Sequence, residues 1–257
     1  MSDSCLRLSK RIAAGAFALA AAALSLQTAA ATSMADYAKE LAAPTYLTIG
    51  EMPDQMEFLP PPPAWTSPLF AGDHAAYLWG KTVRPTERGD RAVAQAAYLF
   101  DEISAFFSKP FGLEISRERT PAIHKVLYKG VVTAMHSYVH AKKTYARKRP
   151  FVRYGEPTPF PEDEEHLKDN GSYPSGHTVR GWCLGLLMSE INPARQNELL
   201  KLGYEWGESR IIIGYHWKSD VEAARALASA VYARLHASED FIADMAAARQ
   251  EFKRLTK

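Results

Sequence analysis

The sequence predicts an all-α fold, a single compact multi-helix domain, on three observations. Helix-opening signals recur along the chain: Thr120-Pro121 reads as N-cap then N1, and Asn192-Pro193 repeats the pattern. Ser219-Asp220 and Ser238-Glu239-Asp240 open two further helices. Apolar residues recur at helical spacing, while alternating Val/Ile/Thr runs joined by hairpin turns are absent. No internal repeat or composition shift marks a second domain. At 257 residues and 47% hydrophobic, the chain can bury its own core.

Residues 1–31 read as an address. Arg7, Lys10 and Arg11 precede an uncharged Ala-rich stretch, and Ala29 and Ala31 fit the −3 and −1 positions of a cleavable secretory signal. The alternative is an uncleaved anchor, but alanine contributes little to bilayer transfer and the strongly apolar part falls short of the ~20 residues a span requires. The expected mature chain is a helical domain over 32–257, periplasmic, with no membrane span. Its segment 32–68 is expected to be an extended, Pro-rich strap, because Leu59-Pro60-Pro61-Pro62-Pro63 cannot donate a helical hydrogen bond. Helices are then expected over about 67–82, 87–107, 120–146, from 192 towards 210, over 219–236, and from 238 onward.

Charge and cysteine content exclude several classes. Lys+Arg 31 against Asp+Glu 29 offers no field for nucleic acid, and the apolar fraction excludes intrinsic disorder. Two cysteines exclude a disulfide scaffold. Signal cleavage would remove Cys5 and leave Cys183 in an apolar run, where a buried thiol is expected.

Three clusters carry chemistry. In the first, Lys142 and Arg149-Pro150 are seven residues apart, nearly two helical turns, so both cations can share a helix face. With Lys143, Arg147 and Lys148 interleaved, the plain alternative is a solvated basic helix end. In the second, Ser175 stands at an N-cap position before Gly176 and His177, an anion-binding helix start with a histidine beside it; the alternative is an ordinary cap. In the third, Ser209-Arg210 precedes His216 and Asp220, four apart, so that a carboxylate can hold one imidazole nitrogen and free the other. A local His–Asp cap is the alternative. Together, three cations, a helix N-terminus and two histidines form an inventory for phosphoryl transfer without metal.

The combination K-x6-RP, PSGH and SR-x5-H-x3-D resembles the signature of the type 2 phosphatidic acid phosphatase superfamily, which includes vanadium haloperoxidases. The string Gly171-Ser172-Tyr173-Pro174-Ser175-Gly176-His177-Thr178 is similar to that of the class A bacterial nonspecific acid phosphatases. So are Leu59–Pro63, Arg149-Pro150-Phe151 and the stretch from Gly214 to Asp220. The resemblance implies that His216 attacks phosphorus, Asp220 fixes its tautomer, and His177 protonates the leaving group and then activates water. It implies phosphate binding by Lys142, Arg149, Arg210, Ser175 and Gly176, with no metal or other cofactor. Implied substrates are small phosphomonoesters such as nucleotides and sugar phosphates, with phosphotransfer to alcohols as a side activity. Relatives are often homo-oligomeric, and the same tendency is implied here. The alternative within the superfamily is a vanadate-dependent haloperoxidase. One departure is that the cysteine pair of many class A members is missing, since the corresponding regions read Tyr154–Pro159 and Ile211-Ile212-Ile213.

Other signals point to structure. His136 and His140 are four apart but lack the acidic residue of HExxH. The run Glu162-Asp163-Glu164-Glu165 reads as a solvated helix start, and Phe106, Phe107 and Phe111 as core aromatics. There is no GxSxG elbow or P-loop.

Overall fold

The structure, a computed structural model, describes residues 35–257. The expected signal, 1–31, lies outside the described residues. The chain divides into residues 1–39 and a compact unit Glu40–Lys257, which holds every feature discussed below. Among the described residues there is no strand, and no helix is long and apolar enough to cross a membrane. The longer helices are α1 (Pro68–Val83), α2 (Glu87–Ala94), α3 (Phe100–Phe111), α4 (Pro121–His136), α5 (Val139–Tyr145) and α6 (Pro150–Tyr154). They are followed by α7 (Gly176–Ile191), α8 (Gln196–Ile212), α9 (Lys218–Leu235) and α10 (Glu239–Leu255).

Several helix starts follow the sequence signals. Pro68 and Pro121 occupy first turns, where a missing N–H costs nothing. Ser175 and Ser238 accept backbone N–H bonds from Thr178 and Phe241. After Asn192 a 3-10 turn, Pro193–Arg195, leads into α8.

Three expected segments are corrected. The stretch 87–107 is two helices, because Glu102 accepts the Leu99 amide at 3.1 Å and the Tyr98 amide at 3.3 Å, capping a new start at Phe100. The helix expected over 120–146 breaks between α4 and α5, where Ser137 Oγ donates to the Ala134 carbonyl at 2.7 Å. The strap is not extended throughout: a 3-10 turn spans Ile49–Glu51, and a helical turn, Gln55–Phe58, is capped by Asp54. Its polyproline part is pinned where Tyr173 Oη donates to the Pro60 carbonyl at 2.6 Å. Trp65 then packs edge-on against Phe70 and Trp217, with ring centroids 5.0 and 5.6 Å away.

The core is built around α7, which is buried along most of its length and packs on α8, α9 and α4. Glycine is required at 181, since a Cβ there would lie 2.4 Å from the Trp206 ring of α8. Cys183 is fully buried and its thiol is pushed up to about 12 by burial, as a structural cysteine should be. Phe107 and Phe111 are core residues, whereas Phe106 is about one-third exposed at the edge of Trp206.

Candidate active site

The residues singled out in the three clusters converge at the N-terminal end of α7. Lys142 comes from the last turn of α5, and its enclosed ammonium donates to the Gly171 carbonyl at 2.7 Å. Arg149 is not on the same helix face, because α5 ends at Tyr145 and Ala146 turns the chain with φ 41°. Arg149 is instead the extended N-cap of α6, a conformation that Pro150 favours. Its Nε donates to the Leu167 and Asn170 carbonyls at 2.9 and 3.0 Å. That aims Nη1 at the Tyr215 carbonyl (3.1 Å) and at His216 Nε2 (3.0 Å).

Arg210 lies in the last turn of α8, and its carbonyl accepts from the amides of Tyr215 and His216, so the turn folds His216 back beside it. The Arg210 guanidinium lies 4.6 Å from the Tyr215 ring centroid, and its Nε and Nη1 are buried without a hydrogen-bond partner. Ser175 is tied to the third cluster by its amide, which donates to the Asp220 carbonyl at 3.0 Å. Its Oγ accepts from Thr178 Oγ1 at 2.8 Å. Glycine is required at 176 on packing grounds: a Cβ would lie 2.7 Å from the Tyr138 ring.

The two histidines have different surroundings. His216 Nδ1 lies 3.4 Å from Asp220 Oδ2, close to the carboxylate but without a formed hydrogen bond, while Nε2 receives Arg149. The Arg149 donor at Nε2 assigns the lone pair to Nε2 and therefore the proton of the neutral ring to Nδ1, on the side of the Asp220 carboxylate. His177 is stacked on Trp206 at 5.2 Å and 7°, and neither of its nitrogens has a hydrogen-bond partner.

Burial governs the protonation of this group. Desolvation, reinforced by Arg210, Arg180 and His216, holds His177 well below the usual histidine range, although the Gln95 backbone favours its proton. His216 is held well below it by burial and by Arg149, Lys142 and Arg210. Burial also lowers Arg149 to about 9 and Arg210 to about 10, and lowers Lys142 well below its usual value. Three clustered cations, with Arg210 Nε and Nη1 buried and unpartnered, favour an anion that can accept from them.

Three neighbours escaped the sequence reading. Arg147 is not on a solvated face; it is 5% exposed and bonded to Asp220 Oδ1 at 2.6 Å and Asp73 Oδ2 at 2.7 Å. Asp73, from α1, and Trp206, from α8, carry no local signal of their roles. The acidic run at 162–165 is mostly solvated, but Asp163 is partly buried near Arg210, and burial raises its carboxyl. Among the described residues, no group of three or more His, Cys, Asp or Glu side chains is placed to hold a metal ion.

The PAP2 superfamily model matches residues 125–241, which contain all three clusters. A non-specific acid phosphatase of Providencia stuartii is 44% identical over 213 residues, covering 82% of this chain and 86% of that one. A non-specific acid phosphatase of Salmonella typhimurium is 39% identical over 196 residues, covering 76% and 78%. An acid phosphatase of Zymomonas mobilis is 33% identical over 201 residues, covering 78% and 76%. The chain belongs to the PAP2 superfamily, and within it to the class A bacterial nonspecific acid phosphatases.

Proposed function

We propose that the protein hydrolyses small phosphomonoesters, nucleotides and sugar phosphates among them, through a phosphohistidine on His216. The observation that carries this reading is the buried meeting of Arg210 Nε and Nη1 with two histidines of unlike surroundings. Lys142, Arg149, Arg210, the Ser175 hydroxyl and the Gly176 amide hold the phosphate oxygens. Nε2 of His216 attacks phosphorus as the P–O bond to the alcohol breaks, and Asp220 stabilises the Nδ1–H that remains. His177 gives its proton to the departing alkoxide, then takes one from the water that cleaves the phosphohistidine to inorganic phosphate. An alcohol in place of that water yields phosphotransfer. No step uses a metal, and the signal expected over 1–31 assigns the work to the periplasm.

The low proton affinity of His177 carries a pH dependence. The histidine gains its proton together with the anion, whose negative charge offsets Arg210, so acid conditions favour the competent complex. The deciding measurement is turnover of p-nitrophenyl phosphate from about pH 4 to 9, with EDTA and with vanadate, followed by alkaline trapping of labelled enzyme. EDTA-resistant, vanadate-inhibited activity peaking below neutrality, with label on His216, is expected. A rate still rising above about pH 8, or full activity in His216→Ala, overturns it. Bromide oxidation by peroxide with vanadate, without phosphatase activity, would transfer the assignment to a haloperoxidase.

A further inference from the structure

We propose that Asp73 and Arg147 are positioning residues for His216: they fix the carboxylate of Asp220 and thereby the tautomer and basicity of the attacking imidazole. The inference rests on the phosphohistidine reading above. Its starting point is the opening of α9. The N-cap there is Trp217, whose indole has no oxygen to accept the first-turn amides. Two carboxylates act instead. Asp220 Oδ2 accepts the Trp217 amide at 2.9 Å, and Asp73 Oδ1, from α1, accepts the Ser219 amide at 2.7 Å.

Arg147 joins the two. Its Nη1 donates to Asp220 Oδ1 at 2.6 Å and to Ser219 Oγ at 2.8 Å, and its Nη2 donates to Asp73 Oδ2 at 2.7 Å. Ser219 Oγ in turn donates a hydrogen bond to Asp73 Oδ2 at 2.7 Å, closing the ring of bonds. The guanidinium packs against both Trp65 and Trp217, with Cζ 5.2 and 5.4 Å from their centroids, and Arg147 is buried with its charges.

With Oδ1 taken by Arg147 and Oδ2 by the Trp217 amide, the Asp220 carboxylate cannot rotate, and Oδ2 is the oxygen that faces His216 Nδ1. Charge matters as much as orientation. Arg147 draws on the negative charge that Asp220 offers the imidazole, and Asp73 offsets that pull. Neutralising Asp73 leaves Arg147 leaning on Asp220 alone, which weakens the hold on Nδ1–H and makes Nε2 a poorer nucleophile. Neither residue touches the phosphate, so the loss falls on kcat and not on substrate binding.

The test compares wild type, Asp73→Asn, Ser219→Ala and Arg147→Lys, each first checked for cooperative unfolding. Ser219→Ala keeps both charges and removes only the bridging hydroxyl, so it answers if Asp73→Asn fails to fold. Steady-state kinetics with p-nitrophenyl phosphate across pH, inorganic phosphate inhibition and alkaline trapping of the phosphoenzyme are then measured. For Asp73→Asn, kcat is expected to fall roughly tenfold to a hundredfold, on the scale seen when groups that orient a reactive side chain are removed. KM and phosphate inhibition stay within about threefold, and the pH profile of kcat moves. Arg147→Lys keeps the charge without the two-pronged geometry and falls between; Ser219→Ala shows the same pattern in milder form. A folded Asp73→Asn or Ser219→Ala protein with wild-type kcat and an unmoved pH profile overturns the proposal. So does a kcat loss matched by an equal loss of phosphate binding. If wild type traps label on His216 while the variants behave as wild type, only the positioning role falls; if no label reaches His216, the phosphohistidine reading falls first.

Discussion

Arg149 Nη1 lies 3.0 Å from His216 Nε2, so the guanidinium that faces the anion pocket also donates to the lone pair proposed to attack phosphorus. On the proposed mechanism a phosphate oxygen competes for that donor, and its arrival uncovers the nucleophile as it occupies the clamp. Lysine cannot reproduce the fork that reaches two carbonyls through Nε and the site through Nη1. Arg149→Lys is therefore expected to lower kcat/KM by at least about 100-fold, as loss of a donor to developing charge does, and to weaken phosphate inhibition. Steady-state kinetics check both; a loss confined to KM would contradict the dual role.

Stability should depend on pH through the two buried histidines. Their folded proton affinities are depressed, so the unfolded chain binds protons first as the pH drops below about 6.5, the ordinary histidine value. The stabilisation is full above that value and is lost as the pH falls towards the depressed folded values, with a limiting slope of about 1.4 kcal/mol per pH unit for each histidine. Phosphate, by supplying negative charge beside both rings, should restore part of it. Thermal melts from neutral to acid pH, with and without inorganic phosphate, should show a gap that widens towards acid.

Trp206 is the floor on which His177 lies. Trp206→Ala should cost about 3–5 kcal/mol in denaturant melts, the range for emptying a buried aromatic site. Trp206→Phe should cost less than about 1.5 kcal/mol, because it also removes an indole N–H that is buried without a partner. Both should shift the pH dependence of turnover, since each alters the surroundings of His177.

Cys183 should resist thiol reagents in the native protein and react only on unfolding, because it is buried and its thiol is pushed up to about 12. Cys183→Ala should retain full activity, which a nitrophenyl phosphate assay would check against thiol titration with and without denaturant.

Legibility from sequence followed distance along the chain. Ser175, Gly176 and His177 announce a helix start because cap, glycine and histidine are adjacent, and His216 and Asp220 are only four residues apart across the start of α9. Lys142 and Arg149 were legible as partners but not as neighbours on one helix, since the left-handed turn at Ala146 does the work assigned to helical spacing. Arg147 was obscured by the lysines beside it, as charge in sequence does not reveal which side chain turns inward. Asp73 left no trace, because its partner Ser219 is 146 residues away and an aspartate on an amphipathic helix usually faces water. Most helices were legible and their breaks were not, since a serine or glutamate turned onto the backbone interrupts a periodicity that apolar spacing alone would continue.

The bond from Asp73 to the Ser219 amide ties an early helix to one near the other end of the chain. A ribosome that has released only the front of the chain has made Asp73, Lys142 and the Ser175 loop, but not yet Arg210, His216, Ser219 or Asp220, which sit beside them in the folded chain. Catalytic competence therefore arrives late and all at once. Turnover reports on completed folding, and a truncation within α9 should silence the enzyme instead of weakening it by degrees.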